Sequence, residues 1–223
     1  MDWSVLTLSL RLAGLTVLVL LPLGVIVGRW LAYGRFRGKG LSEALLALPL
    51  VLPPTVLGYY LLVAFGGRSP LGQAWQSLWG HPLVFSFEGL LLASVIVNIP
   101  FAVQPMQRGF ESIAPDIREA GACAGLSPRQ VLWKIDIPLA WPGIVTGLVL
   151  VFAHTLGEFG VVLMVGGSIP GETRTIAIAI YDRVQAFDDY GAGIMSALLL
   201  ALSLLALGII YSLSRRIGRR HGP

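Results

Sequence analysis

The sequence predicts an all-α, polytopic membrane protein with about five transmembrane helices, and composition is the first observation that indicates this. Of the 223 residues, 55% are hydrophobic and only 13% are charged, and the mean hydropathy is +0.77. An ordinary soluble domain carries about a quarter charged residues. Because one helical crossing of a bilayer needs about 20 apolar residues, the chain has the length for about five or six crossings and no sizeable domain besides.

The second observation is that five windows without a charged residue are long enough to cross the bilayer. A charged side chain at the centre of a spanning helix costs about 2.5–3.5 kcal/mol on insertion scales, so such windows are informative. The five predicted spans cover residues 12–28, 44–67, 89–107, 137–157 and 191–214. Residues 175–181 are also apolar, but Asp182 and Arg183 follow them. We expect a short helix there, either at the membrane surface or partly inside it.

The third observation is the distribution of basic residues, which predicts the orientation. Twelve Lys and Arg residues lie after spans one and three and in the C-terminal tail, whereas three lie in the connections on the opposite side. Cytoplasmic connections carry the excess of basic residues in membrane proteins. We therefore expect the N-terminus outside and the C-terminus in the cytoplasm. The basic groups flank spans without interleaved aromatic residues, so the expected surroundings are membrane lipid and not nucleic acid.

The longest cytoplasmic connection, residues 108–136 between spans three and four, is predicted to be helical. A stretch of small residues within it ends at Gly125, and Ser127 and Pro128 then match the N-cap and first position of a new helix. We expect two short helices that meet at a tight corner. Small residues let another backbone approach closely, so this corner is suited to contact with a partner protein.

The spacing in this corner resembles the EAA signature of ABC importer permeases, which reads EAA, three residues, G, nine residues, then I-x-L-P. Every interval matches, although Gly121 stands for the second alanine and Ile137 for the leucine. A glycine weakens a helix by up to about 1 kcal/mol relative to alanine. The resemblance implies that residues 108–136 are a coupling segment that docks in a groove of an ATP-hydrolysing subunit. The residues that carry it are Glu119, Ala120, Gly121, Gly125, Ile135, Ile137 and Pro138.

Two alternatives apply to this corner and to the energy source. A corner rich in alanine and glycine can simply join two helices, but the complete spacing on the cytoplasmic side favours coupling. Gly38 and Lys39 lack the G-x-x-x-x-G-K-[ST] spacing of a phosphate-binding loop. We therefore expect that the chain is not an enzyme and that ATP and Mg²⁺ are used by a separate ATPase. With Cys123 as its single cysteine, the chain is not expected to bind a metal or another cofactor.

Span two contains Pro49, Pro53 and Pro54, which remove backbone donors and predict a broken or kinked helix.

Residues 48–59, 157–160 and 169–176 resemble the molybdate importer permeases, the ModB family. The similarity extends from Phe36 to the last span. It implies one permease domain, residues 1–223, with the small type I ABC importer fold, in the bacterial inner membrane. It also implies a homodimer with the pathway between subunits, served by an extracytoplasmic oxyanion-binding protein. Tungstate and sulfate or thiosulfate remain alternative substrates.

Candidate residues of the translocation path come from the broken span and from polar groups within spans. Irregular backbone at membrane depth is tolerated where it lines a polar cavity, although a packing kink is the alternative. His154 and Glu158 share a helical face, where they either brace the end of span four or line an outer gate. Asn98 is expected to hydrogen-bond to a neighbouring helix. The candidates for the path are Pro53, Pro54, Thr55, Tyr59, His154 and Glu158.

Two further classes of protein compete with an ATP-driven importer. A membrane-embedded enzyme needs clustered carboxylates or a nucleophile and base within its spans. The adjacent acids Asp188 and Asp189 lie outside the predicted spans. A secondary transporter needs a buried proton or ion relay and has no cytoplasmic docking motif. Dependence of activity on a companion ATPase separates these classes.

Overall fold

Long helices joined by short ones make up the fold. The computed structural model describes residues 3–218, so Arg219 and Arg220, which count toward the predicted orientation, lie outside the described residues. The helices are α1 (Trp3–Tyr33), α2 (Lys39–Val51), α3 (Pro54–Phe65), α4 (Pro70–Trp79), α5 (Phe87–Glu111), α6 (Pro115–Cys123), α7 (Pro128–Val131), a π-helix (Leu132–Asp136), α8 (Ile137–Gly157), α9 (Gly160–Gly166), α10 (Ile176–Gln185) and α11 (Asp189–Gly218).

The predicted spans agree with these helices. Within residues 3–218, four continuous stretches are long and apolar enough to cross a membrane, and α2 and α3 together pass the same test as a pair bent by 107°. The continuous stretches are Trp3–Tyr33, Phe87–Glu111, Pro128–Gly157 and Asp189–Gly208. The expectation of an all-α protein with about five spans is confirmed, with the second span divided in two.

The break in span two lies at the two adjacent prolines, as the sequence predicts. Leu52 and Pro53 each precede a proline, and both have extended backbone with ψ of 136°. A residue before proline is disfavoured in the helical region because the proline ring clashes with it. Two such residues in succession stop α2 and allow α3 to start at Pro54 in a new direction. Pro49, by contrast, is accommodated within α2.

The centre of the bundle is formed by α1, α5 and α8, which approach each other closely at glycines. A Cβ atom at Gly28 of α1 would lie 3.0 Å from the backbone nitrogen of Gln107. A Cβ atom at Gly143 of α8 would lie 2.5 Å from the carbonyl oxygen of Pro105. Small residues at helix crossings permit such contact in membranes.

Helices α4, α9 and α10 are short and lie outside the predicted spans. The short helix expected at residues 175–181 is α10, and it extends to Gln185. Its apolar residues Ile176 and Ala179 pack with Val5 of α1 and Met195 of α11. Helix α9 was not anticipated from the sequence, because its seven residues are too few for a periodic apolar pattern. Helix α4 was missed although Ser69 and Pro70 form the same kind of helix start as Ser127 and Pro128.

Candidate functional site

The corner between α6 and α7 is built by a glycine in the left-handed region. Gly125 has φ of +81°, and its N–H donates to the carbonyl of Ala122 at 3.0 Å. The N–H of Leu126 donates to the carbonyl of Gly121 at 3.1 Å. These two bonds are the Schellman termination of a helix, which strongly favours glycine at this position. Gly125 of the signature is therefore required by the backbone of the corner itself.

The second helix of the corner begins as the sequence predicts. Ser127 is the N-cap, its hydroxyl accepts from the backbone N–H of Gln130, and the Gln130 side chain accepts from the N–H of Ser127 at 2.8 Å. This reciprocal pair is a capping box. Pro128 occupies the first turn, where its missing N–H has no effect. The two helices are thus held at a defined angle.

The signature residues divide into an exposed set and an internal set. Glu119, Ala120 and Gly125 are exposed, and we call them the elbow face. Gly121 is buried, and a Cβ atom there would lie 2.5 Å from Cδ1 of Ile135. Glycine in place of the second alanine therefore lets Ile135 lie against α6, which the sequence did not indicate. Ile135 and Ile137 are half-buried, and Pro138 is exposed in the first turn of α8.

A cleft of about 580 Å³ lies beside the elbow face. Tyr33 from α1 and Glu119 and Ala122 from α6 line it, together with the basic residues Arg35 and Lys39. The cleft therefore presents charge of both signs next to exposed small residues. Contact of this surface with a partner stays a prediction.

Asp136, at the end of the π-helix, is the polar residue of this region that sequence reasoning missed. Its side chain is fully buried and accepts from Arg29 Nε at 2.8 Å and from Arg118 Nε at 3.1 Å. Arg29 belongs to α1 and is 107 residues away in sequence. The one available signal was a carboxylate at the edge of a predicted span, where an unpaired charge is expensive.

Tyr33 extends this cluster to a fourth helix. The Arg118 guanidinium carbon lies 3.5 Å from the centre of the Tyr33 ring, which is a cation–π contact. The Tyr33 hydroxyl donates to the carbonyl of Phe110, at the end of α5, at 3.0 Å. The end of α1 is thus in contact with both α5 and α6.

The residues predicted to line the path at the broken span lie on an accessible surface. Pro53 and Pro54 are exposed at the break, and Thr55 and Tyr59 are exposed one turn apart on α3. The opposite side of α3 packs on α9, where a Cβ atom at Gly58 would lie 2.9 Å from Cβ of Met164. Their position is compatible with a lining role, which stays a prediction.

His154 and Glu158 are not isolated but belong to a chain of polar contacts. His154 Nε2 lies 3.6 Å from Glu158 Oε2, and Glu158 Oε1 accepts from the N–H of Val161 at 3.1 Å. Glu158, which is 7% exposed, thereby joins the end of α8 to the first turn of α9. These are the contacts expected if the pair braces the helix end, and a gating role stays a prediction.

The same chain of contacts continues into the bundle through Asn98 and through three hydroxyl groups that were not predicted. Asn98 contacts His154 Nδ1 at 3.1 Å, which confirms its predicted bond to a neighbouring helix. Ser94 follows one turn earlier on α5 and lies 3.0 Å from the hydroxyl of Thr16 on α1 and 3.5 Å from that of Thr155 on α8. Each of these hydroxyls is unremarkable in sequence, and only the helix packing brings them together.

The match to a family model assigns this helical bundle, with its broken span and its exposed corner, to the transmembrane permeases of transport systems. The chain belongs to the family of binding-protein-dependent transport system inner membrane components, which matches residues 21–219. It is a multi-pass protein of the bacterial inner membrane with the type I ABC importer permease fold. The family is one of transport permeases and not of enzymes.

Individual relatives agree with this family. The chain is 46% identical to the molybdenum transport system permease protein ModB of Azotobacter vinelandii, over 96% of this chain and 95% of that protein. It is 33% identical to the sulfate transport system permease protein CysT of Escherichia coli K12, over 88% of this chain and 71% of that one. A bacterial ABC transporter for import of alginate has a similar fold, with a TM-score of 0.72 at 16% identity, over 99% of this chain and 79% of that chain.

Proposed function

We propose that this chain is the permease subunit of an ATP-driven importer of molybdate. The observation that carries the proposal is the 46% identity to a molybdenum permease over nearly the full length of both chains. The lower identity of 33% to a sulfate permease makes sulfate or thiosulfate the second candidate. Tungstate is a tetrahedral dianion like molybdate, so it belongs to the same proposal as a further substrate.

The proposed mechanism is alternating access by a homodimer. Two copies enclose the pathway, two ATPase subunits close on ATP, and the docked corners transmit that closure to the spans. The elbow face supports this role, because Glu119, Ala120 and Gly125 are exposed together at a corner of fixed geometry. ATP and Mg²⁺ are used by the ATPase, and this chain binds no cofactor of its own.

In this proposal residues 1–223 form one domain with its N-terminus outside, and residues 108–136 face the cytoplasm. Substrate selection belongs to a separate extracytoplasmic binding protein. Arg174, in the connection between α9 and α10, supports that division because its Nε lies at ion-pair distance, 3.0 Å, from Asp182 Oδ2, although without hydrogen-bond geometry, so that its charge is offset. An oxyanion site normally presents several donors that are free to bind.

The test is reconstitution of the purified permease in liposomes with its ATPase and its binding protein. We expect molybdate to stimulate ATP hydrolysis and to accumulate inside the liposomes, and we expect tungstate to act similarly. A permease reconstituted without the ATPase is the control and should transport nothing. Stimulation by sulfate and not by molybdate would assign the chain to the second candidate, whereas uptake without the ATPase would exclude an ATP-driven importer.

A further inference from the structure

We infer that Asp136, Arg29 and Arg118 form a positioning group that transmits movement of the coupling segment to α1. This inference rests on the proposed function, since it concerns how ATP-driven movement reaches the spans. The group is called the Asp136 link below. Along the chain, the corner is connected to α5 on one side and to α8 on the other. Helix α1 is not adjacent to the corner in sequence, so any coupling between them depends on side-chain contacts.

The geometry of the carboxylate is the first argument. Its two oxygens bind different helices: Oδ2 accepts from Arg29 on α1, and Oδ1 accepts from Arg118 on α6. Asp136 itself precedes α8 directly. One buried side chain therefore joins the first helix of the corner, the start of span four and the end of span one.

Burial and charge are the second argument. The Asp136 side chain is 0% exposed, while those of Arg29 and Arg118 are 30% and 29% exposed. A buried carboxylate needs compensating charge, so it holds both arginines wherever it moves. Helices in purely hydrophobic contact can shift against each other, whereas paired charges with directed hydrogen bonds favour one relative arrangement of the helices.

The π-helix is the third argument. Residues Leu132–Asp136 form a π-helix between α7 and α8, both of which are α-helical. A π turn holds about one residue more than an α turn and frequently occurs at functional sites. One extra residue turns the side chains on one side of it by about 100° relative to those of an uninterrupted α-helix. Asp136 is the last residue of the π-helix and directly precedes α8.

Arg118 also couples the link to the end of α5. Its guanidinium lies over Tyr33, whose hydroxyl is bonded to Phe110. The end of α1 is therefore held from two sides, by Asp136 through Arg29 and by Arg118 through the Tyr33 ring. A displacement of α6 acts on α1 through both contacts.

The test compares Arg29→Gln, Arg118→Gln and Asp136→Asn with wild type in liposomes containing the ATPase and the binding protein. Molybdate uptake and ATP hydrolysis are measured in the same preparation, with assembled complexes isolated by size exclusion. We expect each variant to keep ATP hydrolysis and to import about tenfold less molybdate per ATP, within the 5- to 150-fold range of typical coupling energies. Arg37→Gln, which removes an exposed charge from the connection between α1 and α2, is the matched control and should keep the wild-type ratio.

A double variant makes the test sharper. Both contacts from α6 to α1, the one through Asp136 and Arg29 and the one through the Tyr33 ring, depend on Arg118. Arg29→Gln combined with Arg118→Gln should therefore lower the ratio no further than Arg118→Gln alone. Independent stabilising contacts would instead add. Arg118→Lys keeps the charge but loses the rigid guanidinium, and it should recover part of the ratio.

Several outcomes would overturn the inference. An unchanged ratio of uptake to ATP hydrolysis in the variants would make the Asp136 link a stabilising contact only. Failure of all three single variants to give any assembled complex would make it a folding element. Both results leave the proposed function intact, because wild type still imports molybdate. Absence of molybdate-stimulated hydrolysis in wild type would contradict the proposed function itself.

Discussion

At the scale of single residues, the corner depends on Gly125 for two separate reasons. Its φ of +81° lies in the left-handed region, where a residue with a Cβ atom is strained by about 1–2 kcal/mol. Its surroundings are also open, since apart from its chain neighbours no atom of the described residues lies within 4 Å of where a Cβ would be. A side chain at this position would therefore point into the space that the proposed ATPase must occupy.

We expect Gly125→Asp to lower co-purification of the ATPase by at least about tenfold, equivalent to about 1.4 kcal/mol of binding free energy. Membrane insertion should be unaffected. Gly171→Asp is the matched control, because Gly171 has φ of +82° and open surroundings in the connection between α9 and α10. Equal loss of the ATPase in both variants would attribute the effect to backbone strain and not to the elbow face.

At the scale of elements, α8 and α9 are connected by one carboxylate. Glu158 accepts from the N–H of Val161, whose side chain is 1% exposed. The first turn of a helix has N–H groups without partners inside the helix, so a side-chain acceptor there stabilises the turn. The contact of Glu158 with His154 adds a second connection back to α8.

We expect Glu158→Ala to lower the free energy of unfolding by about 1–3 kcal/mol, because it leaves a buried N–H without an acceptor. Glu158→Gln keeps a carbonyl oxygen for Val161 and should lose less than half as much. Thermal unfolding of the purified protein in detergent measures both. Equal losses in the two variants would attribute the stabilisation to the charge near His154 and not to the bond with Val161.

At the scale of the whole molecule, close approach of the backbones holds the bundle together. The glycine at position 143 brings α8 against α5, with Gly109 Cα 2.8 Å from where its Cβ would lie. Atoms of a rigid helix backbone cannot move aside as a flexible side chain can. The separation of α5 and α8 is therefore set at this crossing.

We expect Gly143→Ala to destabilise the protein by about 1–3 kcal/mol, the usual effect of overpacking. Gly14→Ala is the matched control, because Gly14 lies in α1 with nothing within 4 Å of its Cβ position. That substitution should stabilise α1 by about 0.5–1 kcal/mol. Opposite shifts in the thermal midpoint are expected, and a rise in both variants would contradict the close packing of α5 and α8.

Residues close together in the sequence were sufficient to predict the spans, the break in span two and the start of the corner's second helix. Absence of charge marks a membrane window, consecutive prolines disfavour helical backbone before them, and a serine followed by a proline favours the start of a helix. Each of these depends on neighbours a few residues away. For that reason the predicted break at Pro53 and Pro54 and the predicted cap at Ser127 agree with the structure.

Only the tertiary structure decided which distant polar groups meet. Asp136 has no arginine beside it in sequence, and the partner on α1 is 107 residues away. The contacts from Thr16 through Ser94 and Asn98 likewise depend on how α1, α5 and α8 are packed. A periodic pattern indicates which face of a helix is apolar but not which helix lies against it. The pairing of buried charges is therefore a property of the packed bundle.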